Sequence, residues 1–421
     1  MKYKNYVVGN CNVYTIKTDK FRTANIEINF KSDIRKSNVT AKNLLSRLMG
    51  YTSKDYPTKR AMMIERENLY NIDCERQLSR IGYNLFVTFN IEFLDPSYVK
   101  EKDYVENLIK YLTSLLKRPD IKEGKWNEKS FEIHKQKLLM AMDSYKEKPT
   151  TYAMKESRDI LYQNGLLSES LLGSKKELEL LNNENIVSYY DELVKSPCDI
   201  NIIGNLDMDK VVSYLEHYLT IPSKKNTLYE MITHENTHPK DTISTGAYHQ
   251  TQLLMYYKIE PLTLFEINYV TPIFIRLLGS SSGMDDKLTK SLRVDNSLCY
   301  FCGLNVQLRD SIMMIYVGLK KENVTKAQEC IRTCVKEMQD GDINEELIEI
   351  QKRKFLQDLH LREDSLYGLM DNYYFHEIDN VPMYEDYIKG IPKVTKENIQ
   401  KYGEKLTELM SYVLEEEDEE N

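Results

Sequence analysis

Arg293 and Tyr300 are the residues of this chain best suited to handling a peptide. A guanidinium is a planar fork of charged donors and a phenol can donate or accept. Held close together, the two bind and polarise a peptide carbonyl. Upstream lies the turn Gly279-Ser280-Ser281-Ser282-Gly283-Met284, then an amphipathic stretch through Leu288 that ends at Arg293, then a strand carrying Tyr300. The plainer reading makes Arg293 a helix C-terminal cation and Tyr300 a packing residue. The glycine-serine turn favours the site, and it adds Gly279 and Gly283 to the candidate set.

A second pattern is His234-Glu235-Asn236-Thr237-His238, a literal H-E-x-x-H. On a helix that spacing puts two imidazoles on one face for Zn²⁺ and a carboxylate beside them as base. Its surroundings argue against a helix. Pro239 follows His238 directly and biases it away from helical geometry, and no apolar stripe anchors the segment. An independent zinc peptidase built on His234, Glu235 and His238 is the alternative reading. Cys299-x-x-Cys302 and Cys330-x-x-x-Cys334 could form a four-thiolate site on paper. Strand alternation, however, sends Cys299 and Cys302 to opposite faces, and Cys330 and Cys334 share the apolar side of a helix.

The elements that must position these groups are readable from periodicity. Alternation marks strands over 12–17 and 23–30, with Ala24, Ile26, Ile28 and Phe30 on one face. Leu44, Leu45, Leu48 and Met49 fall at helical spacing, and Tyr56-Pro57-Thr58 opens a second helix. A hairpin over 73–92, long helices, a strand over 198–203 and a helix from Asp207 complete a first half. After a polar stretch the order repeats: strand 251–258, helix, glycine-serine turn, helix, strands 297–308 and 312–319, long helices and strand 408–414. The expectation is an α+β fold of two similar domains: 1–221, a linker 222–248, then 249–414, with an acidic tail 415–421.

Composition narrows the function. Net charge −8 argues against a nucleic-acid surface, and the tail Glu415–Glu420 supplies six of the negative charges. No run is apolar and long enough to span a membrane, and the N-terminus lacks a signal-peptide core, so a cytoplasmic location is expected. Seven cysteines fit reduced thiols.

These segments resemble the insulinase/pitrilysin-like zinc metallopeptidases, which include the mitochondrial processing peptidases. The resemblance rests on Leu278–Met284 with Leu288, Arg293, Leu298 and Tyr300, and on Ile203-Gly204-Asn205-Leu206-Asp207. Gln250-Thr251 and Tyr56-Pro57-Thr58 match more weakly. It implies two α+β domains, each an antiparallel sheet backed by helices, in a clamshell over a peptide. It also implies H-x-x-E-H on a first-domain helix. Aligned on Tyr56-Pro57-Thr58, this chain offers Asn43, Ser46 and Arg47 instead, and 138–142, where a further glutamate belongs, has no carboxylate. An amide, a hydroxyl and a fixed cation are poor replacements for two imidazoles and a base.

The chain is therefore most similar to non-catalytic members of bacterial two-component peptidases. That likeness implies no catalytic residue and no cofactor here, with zinc carried by an active paralogue as partner. Unfolded peptide would contact Arg293, Tyr300, Gly279 and Gly283. A homodimer is compatible with such symmetric halves. A peptide-binding scaffold in peptide or protein maturation, without a proteolytic role, is the remaining alternative.

Overall fold

The computed structural model describes residues 1–34, 38–163, 165–221, 240–246, 248, 250–279 and 285–416. The chain divides into two compact units, each drawn from three stretches. One comprises Met1–Ser144, Glu169–Tyr229 and Ser365–Asp379; the other comprises Tyr145–Ser168, Glu230–Asp364 and Asn380–Asn421.

The first unit is built on strands β1 (Lys2–Val8), β2 (Cys11–Lys17), β3 (Thr23–Asp33), β4 (Asp73–Ile81), β5 (Asn84–Leu94) and β8 (Cys198–Gly204). A small hairpin, β6 (Ile121–Lys122) and β7 (Lys125–Trp126), stands apart. The sheet order is β1-β2-β8-β3-β5-β4, and only the β2–β8 pair is parallel. Gly204 closes β8 at φ +146°, where a Cβ would lie 2.4 Å from the Ala24 side chain. Glycine is thus required there, and Asp207 three residues on caps the next helix by accepting from the Lys210 amide.

One face of this sheet is apolar. Ile26, Ile28 and Phe30 of β3 and Val87, Phe89 and Ile91 of β5 join Leu44, Leu45 and Leu48 of helix α1 (Val39–Leu48) in one core. Those three leucines are fully buried, each contributing about 1.5–3 kcal/mol. Helices α2 (Lys59–Asn68), α3 (Tyr104–Lys117) and α4 (Glu128–Ser144) belong to the same layer. The opposite face is polar yet buried: Asn25, Asn29, Asn90, Asp199 and Asn201 are each less than a tenth exposed. The distant helix Leu366–Asp379 covers part of it. Tyr374 donates to the Asp199 carboxylate at 2.9 Å, and Tyr367 donates to Glu92 at 2.6 Å.

The second unit repeats the plan with β9 (Lys240–Gly246), β10 (Thr251–Ile259), β11 (Cys299–Gln307), β12 (Ile312–Leu319) and β13 (Leu406–Glu416). Their order is β11-β12-β10-β13-β9, with β13–β9 parallel. Leu253, Met255 and Tyr257 of β10 face a core with the helices Thr271–Gly279 and Val324–Gln339. The other face, with Leu254 and Tyr256, packs against residues of helix α5 (Pro149–Leu161), where Ser157 and Tyr256 share a 2.7 Å hydrogen bond.

The expected α+β architecture of two similar sheets backed by helices is present, each sheet antiparallel but for one parallel pair. Two strands carry no mark in the sequence periodicity. β1 is mostly exposed, and β9 lies inside the stretch expected to be a linker. The compact units also differ from the contiguous halves 1–221 and 249–414, because α5 and Leu366–Asp379 each pack on a sheet remote in sequence. Among the described residues, no helix is long and apolar enough to cross a membrane.

Candidate functional site

Asn43, Ser46 and Arg47 lie along α1, and their polar groups are occupied by one another. The Asn43 amide nitrogen donates to the Leu171 carbonyl at 2.7 Å, while its oxygen accepts from Arg47 Nε at 2.7 Å. Ser46 Oγ donates to the Asn43 carbonyl at 2.8 Å. Asn43 is 7% and Ser46 6% exposed, so these bonds satisfy groups that water hardly reaches. On α4, Leu138 and Met142 are buried in the core.

The electrostatics around α1 are those of a cation cluster. His134 of α4 is held edge-on to Tyr51, with ring centroids 4.6 Å apart. Burial, with Lys137, Arg76 and Arg47 nearby, pushes its imidazole down to about 4. Burial and Arg76 likewise lower Arg47. Arg76 of β4 reaches back to the C-terminal end of α1, where a Cβ on Gly50 would lie 2.3 Å from its Nη1. This donor set does not fit Zn²⁺, since a divalent cation would meet fixed positive charge and an amide already in use. Among the described residues, no group of three or more His, Cys, Asp or Glu is placed to hold a metal.

Beside β4 opens a cavity of about 730 Å³. Arg76, Glu75 and Gln77 of β4 line it with Glu27, Thr88 and Asn90 from the polar face and Tyr367 and Asp371 from the covering helix. Glu27 accepts from Asn29 at 2.6 Å and Asn201 at 2.9 Å, and Asn90 donates to the Tyr367 hydroxyl at 3.2 Å. Burial, then the Glu27 charge, pushes the Asp371 carboxyl up to about 6. Spacing does not reveal Arg76, His134, Tyr367 or Asp371 as a group. A usable signal exists in the polar residues that alternate with apolar ones along the central strands β3, β5 and β8.

In the second unit, Arg293 lies in a π-helical turn, Lys290–Asp295, and is exposed. Tyr300 is 61% exposed. Neither has a hydrogen-bond or ion-pair partner among the described residues. Tyr300 sits where the β11–β12 register shifts, between Cys299 and Phe301. That bulge corrects the expectation for the cysteines. One inserted residue brings positions 299 and 302 to the same side, where the two thiols are close enough to influence each other. Cys334 instead donates to the Lys287 carbonyl from the helix Val324–Gln339. Gly279 ends its helix with no room for a side chain, since a Cβ there would lie 2.6 Å from Leu288 Cδ1. Gly283 and the His234, Glu235 and His238 pattern lie outside the described residues.

Two α+β units, each a sheet backed by helices, define a metallopeptidase-like chain. Residues 181–355 match the family model described as "Peptidase M16 inactive domain". The chain is similar to inactive members of the M16 metallopeptidase family. It is 22% identical to "Probable inactive metalloprotease YmfF" of Bacillus subtilis (strain 168), over 96% of each chain. A conserved protein from Enterococcus faecalis V583 has the same fold, with TM-score 0.90, 19% identity and full coverage of both chains. A peptidase M16 inactive domain from Pseudomonas fluorescens also matches, with TM-score 0.81, 13% identity and coverage of 100% and 99%.

Proposed function

We propose that this chain is a non-catalytic subunit that binds unfolded peptide and completes the chamber of an active, zinc-bearing relative. The observation that carries the reading is a division of labour. The metal-motif positions hold groups hydrogen-bonded to each other, whereas Arg293 and Tyr300 stand exposed, with no partner among the described residues. A guanidinium and a phenol in that state can grip a peptide backbone but cannot activate water for its hydrolysis. The partner would supply Zn²⁺ and the glutamate base, and the seven free cysteines suit a reducing compartment.

The test mixes this protein with the intact H-x-x-E-H relative of the same organism and follows cleavage of an unfolded peptide. Turnover should rise on mixing and fall about tenfold or more with Arg293→Ala plus Tyr300→Phe, the complex remaining intact by size-exclusion chromatography. Peptide binding without any gain in turnover would indicate the scaffold reading. Zinc-dependent hydrolysis by the isolated chain would return the function to His234, Glu235 and His238.

A further inference from the structure

We infer that the cavity on the polar face of the first sheet is a subsite for a basic side chain of a bound peptide, an arginine guanidinium in preference to a lysine ammonium. This rests on the peptide-binding reading above. Cross-strand pairing sets Glu75, Asn90, Glu27 and Asn201 side by side on that face, one from each of β4, β5, β3 and β8. Asp371 of the covering helix lines the same cavity. The row is short of donors. Asn90 lines the cavity and is only 8% exposed, yet its Oδ1 has no hydrogen-bond partner among the described residues. Asn201 Oδ1, on a residue 2% exposed, is left in the same state. An enclosed acceptor without a donor costs stability, and a ligand that donates there recovers it. Glu75 and Asp371 likewise have no hydrogen-bond or ion-pair partner among the described residues.

The cations in the neighbourhood are turned away or in use. Arg76 alternates to the other side of β4, where its guanidinium lies against Gly50. Lys31, farther along β3, is paired with Asp199. Burial, then the Glu27 charge, holds the Asp371 carboxyl up at about 6, and the second cause is what carboxylates sharing a space without a cation produce. A bare metal ion is the poorer occupant. Among the described residues no group of three or more His, Cys, Asp or Glu is placed to hold one, and the cavity, at about 730 Å³, has room for a side chain. A guanidinium spreads its donors over a plane and is more weakly hydrated than an ammonium, so it can serve several separated acceptors at once.

Fluorescent unfolded peptides that differ at a single central residue test this by anisotropy. That residue is arginine, lysine or citrulline, the last a neutral isostere of arginine. The arginine peptide should bind about tenfold more tightly than the citrulline peptide, with lysine between them. Glu75→Gln and Asp371→Asn remove charge without removing a hydrogen bond within the protein, so both should fold. Each should reduce the preference about threefold, and together they should abolish it. Glu179→Gln, which removes an exposed charge outside the cavity, should leave it intact. Equal binding of the arginine and citrulline peptides by the native protein, or an equal loss of preference in Glu179→Gln, overturns the proposal. A lysine peptide that binds as tightly as the arginine peptide overturns the guanidinium assignment. If no peptide binds, the peptide reading falls, and methylguanidinium chloride decides the site alone. In place of sodium chloride at matched ionic strength, it should raise the melting temperature of the native protein relative to that of the double variant Glu75→Gln, Asp371→Asn. An equal response in both overturns the cation site itself.

Discussion

The α1 segment of the first unit and the turn carrying Arg293 in the second contain similar chemistry in opposite states. On α1, Asn43, Ser46 and Arg47 are linked to one another and to the Leu171 carbonyl, and two of the three are buried. In the second unit, Arg293 and Tyr300 face water with no hydrogen-bond partner among the described residues. A polar group enclosed by partners acts on stability, and one left exposed and unpaired acts on whatever arrives. The difference separates a segment that now supports the fold from one that still has a hand free.

The largest test of that contrast is Asn43→Ala. It strips the amide from the Leu171 carbonyl and from Arg47 Nε together, so urea denaturation should report a loss of about 2–3 kcal/mol. A loss under about 1 kcal/mol would mean that the α1 network holds little. Next in size is the pH response of His134, whose imidazole is depressed to about 4 in the fold. As pH falls below the ordinary histidine range, the unfolded chain takes the proton first. Stability is thus fully present at neutral pH and is lost on the way down to about pH 4. His134→Phe keeps the edge-on ring beside Tyr51 and removes the titration. Between pH 7 and pH 4.5 it should lose about 2 kcal/mol less than the native protein.

The same contrast explains which elements are legible in the sequence. The apolar alternation of β3 and the leucines of α1 mark one side of a core, and both elements form where the periodicity puts them. β1, with its polar sequence Lys2-Tyr3-Lys4-Asn5, has no apolar face to reveal it, since pairing to β2 holds it rather than burial. β9 is hidden in the same way among polar residues beside β13. The placement of α5 and Leu366–Asp379 is decided by matches such as Ser157 with Tyr256 and Tyr374 with Asp199, which sequence order does not reveal. The bulge at Tyr300 is a property of register against β12, so strict alternation sends Cys302 to the wrong face. The expectation for positions 43, 46 and 47 rests on neighbouring motifs alone. The cluster they belong to is not, because Arg47, Arg76 and His134 come from three elements with no spacing in common.

Asp371 makes a smaller test, opposite in sign to that of His134. Its carboxyl is raised to about 6, so the folded state holds its proton longer than the unfolded chain. The contribution is present below the ordinary aspartate range and is lost as pH rises through about 6. The residue is open to water at the cavity, which screens the effect to about 1 kcal/mol or less. Asp371→Asn should therefore be slightly more stable than the native protein at about pH 7.5, with the advantage gone at about pH 4. A variant less stable at the higher pH would mean that this carboxylate is needed in its ionised form.

The smallest expected change is the most discriminating. Arg293→Ala combined with Tyr300→Phe removes a guanidinium and a hydroxyl that hydrogen-bond to nothing among the described residues, so urea denaturation should move by no more than about 0.5 kcal/mol. The same double variant is expected to lower the turnover of the mixed complex about tenfold. A large loss of stability would place these groups with Asn43 and Ser46 as parts of the scaffold, and the contrast between the two regions would collapse. A silent stability curve beside a damaged peptide response would mean that the exposed pair was left unsatisfied because its partner belongs to another molecule.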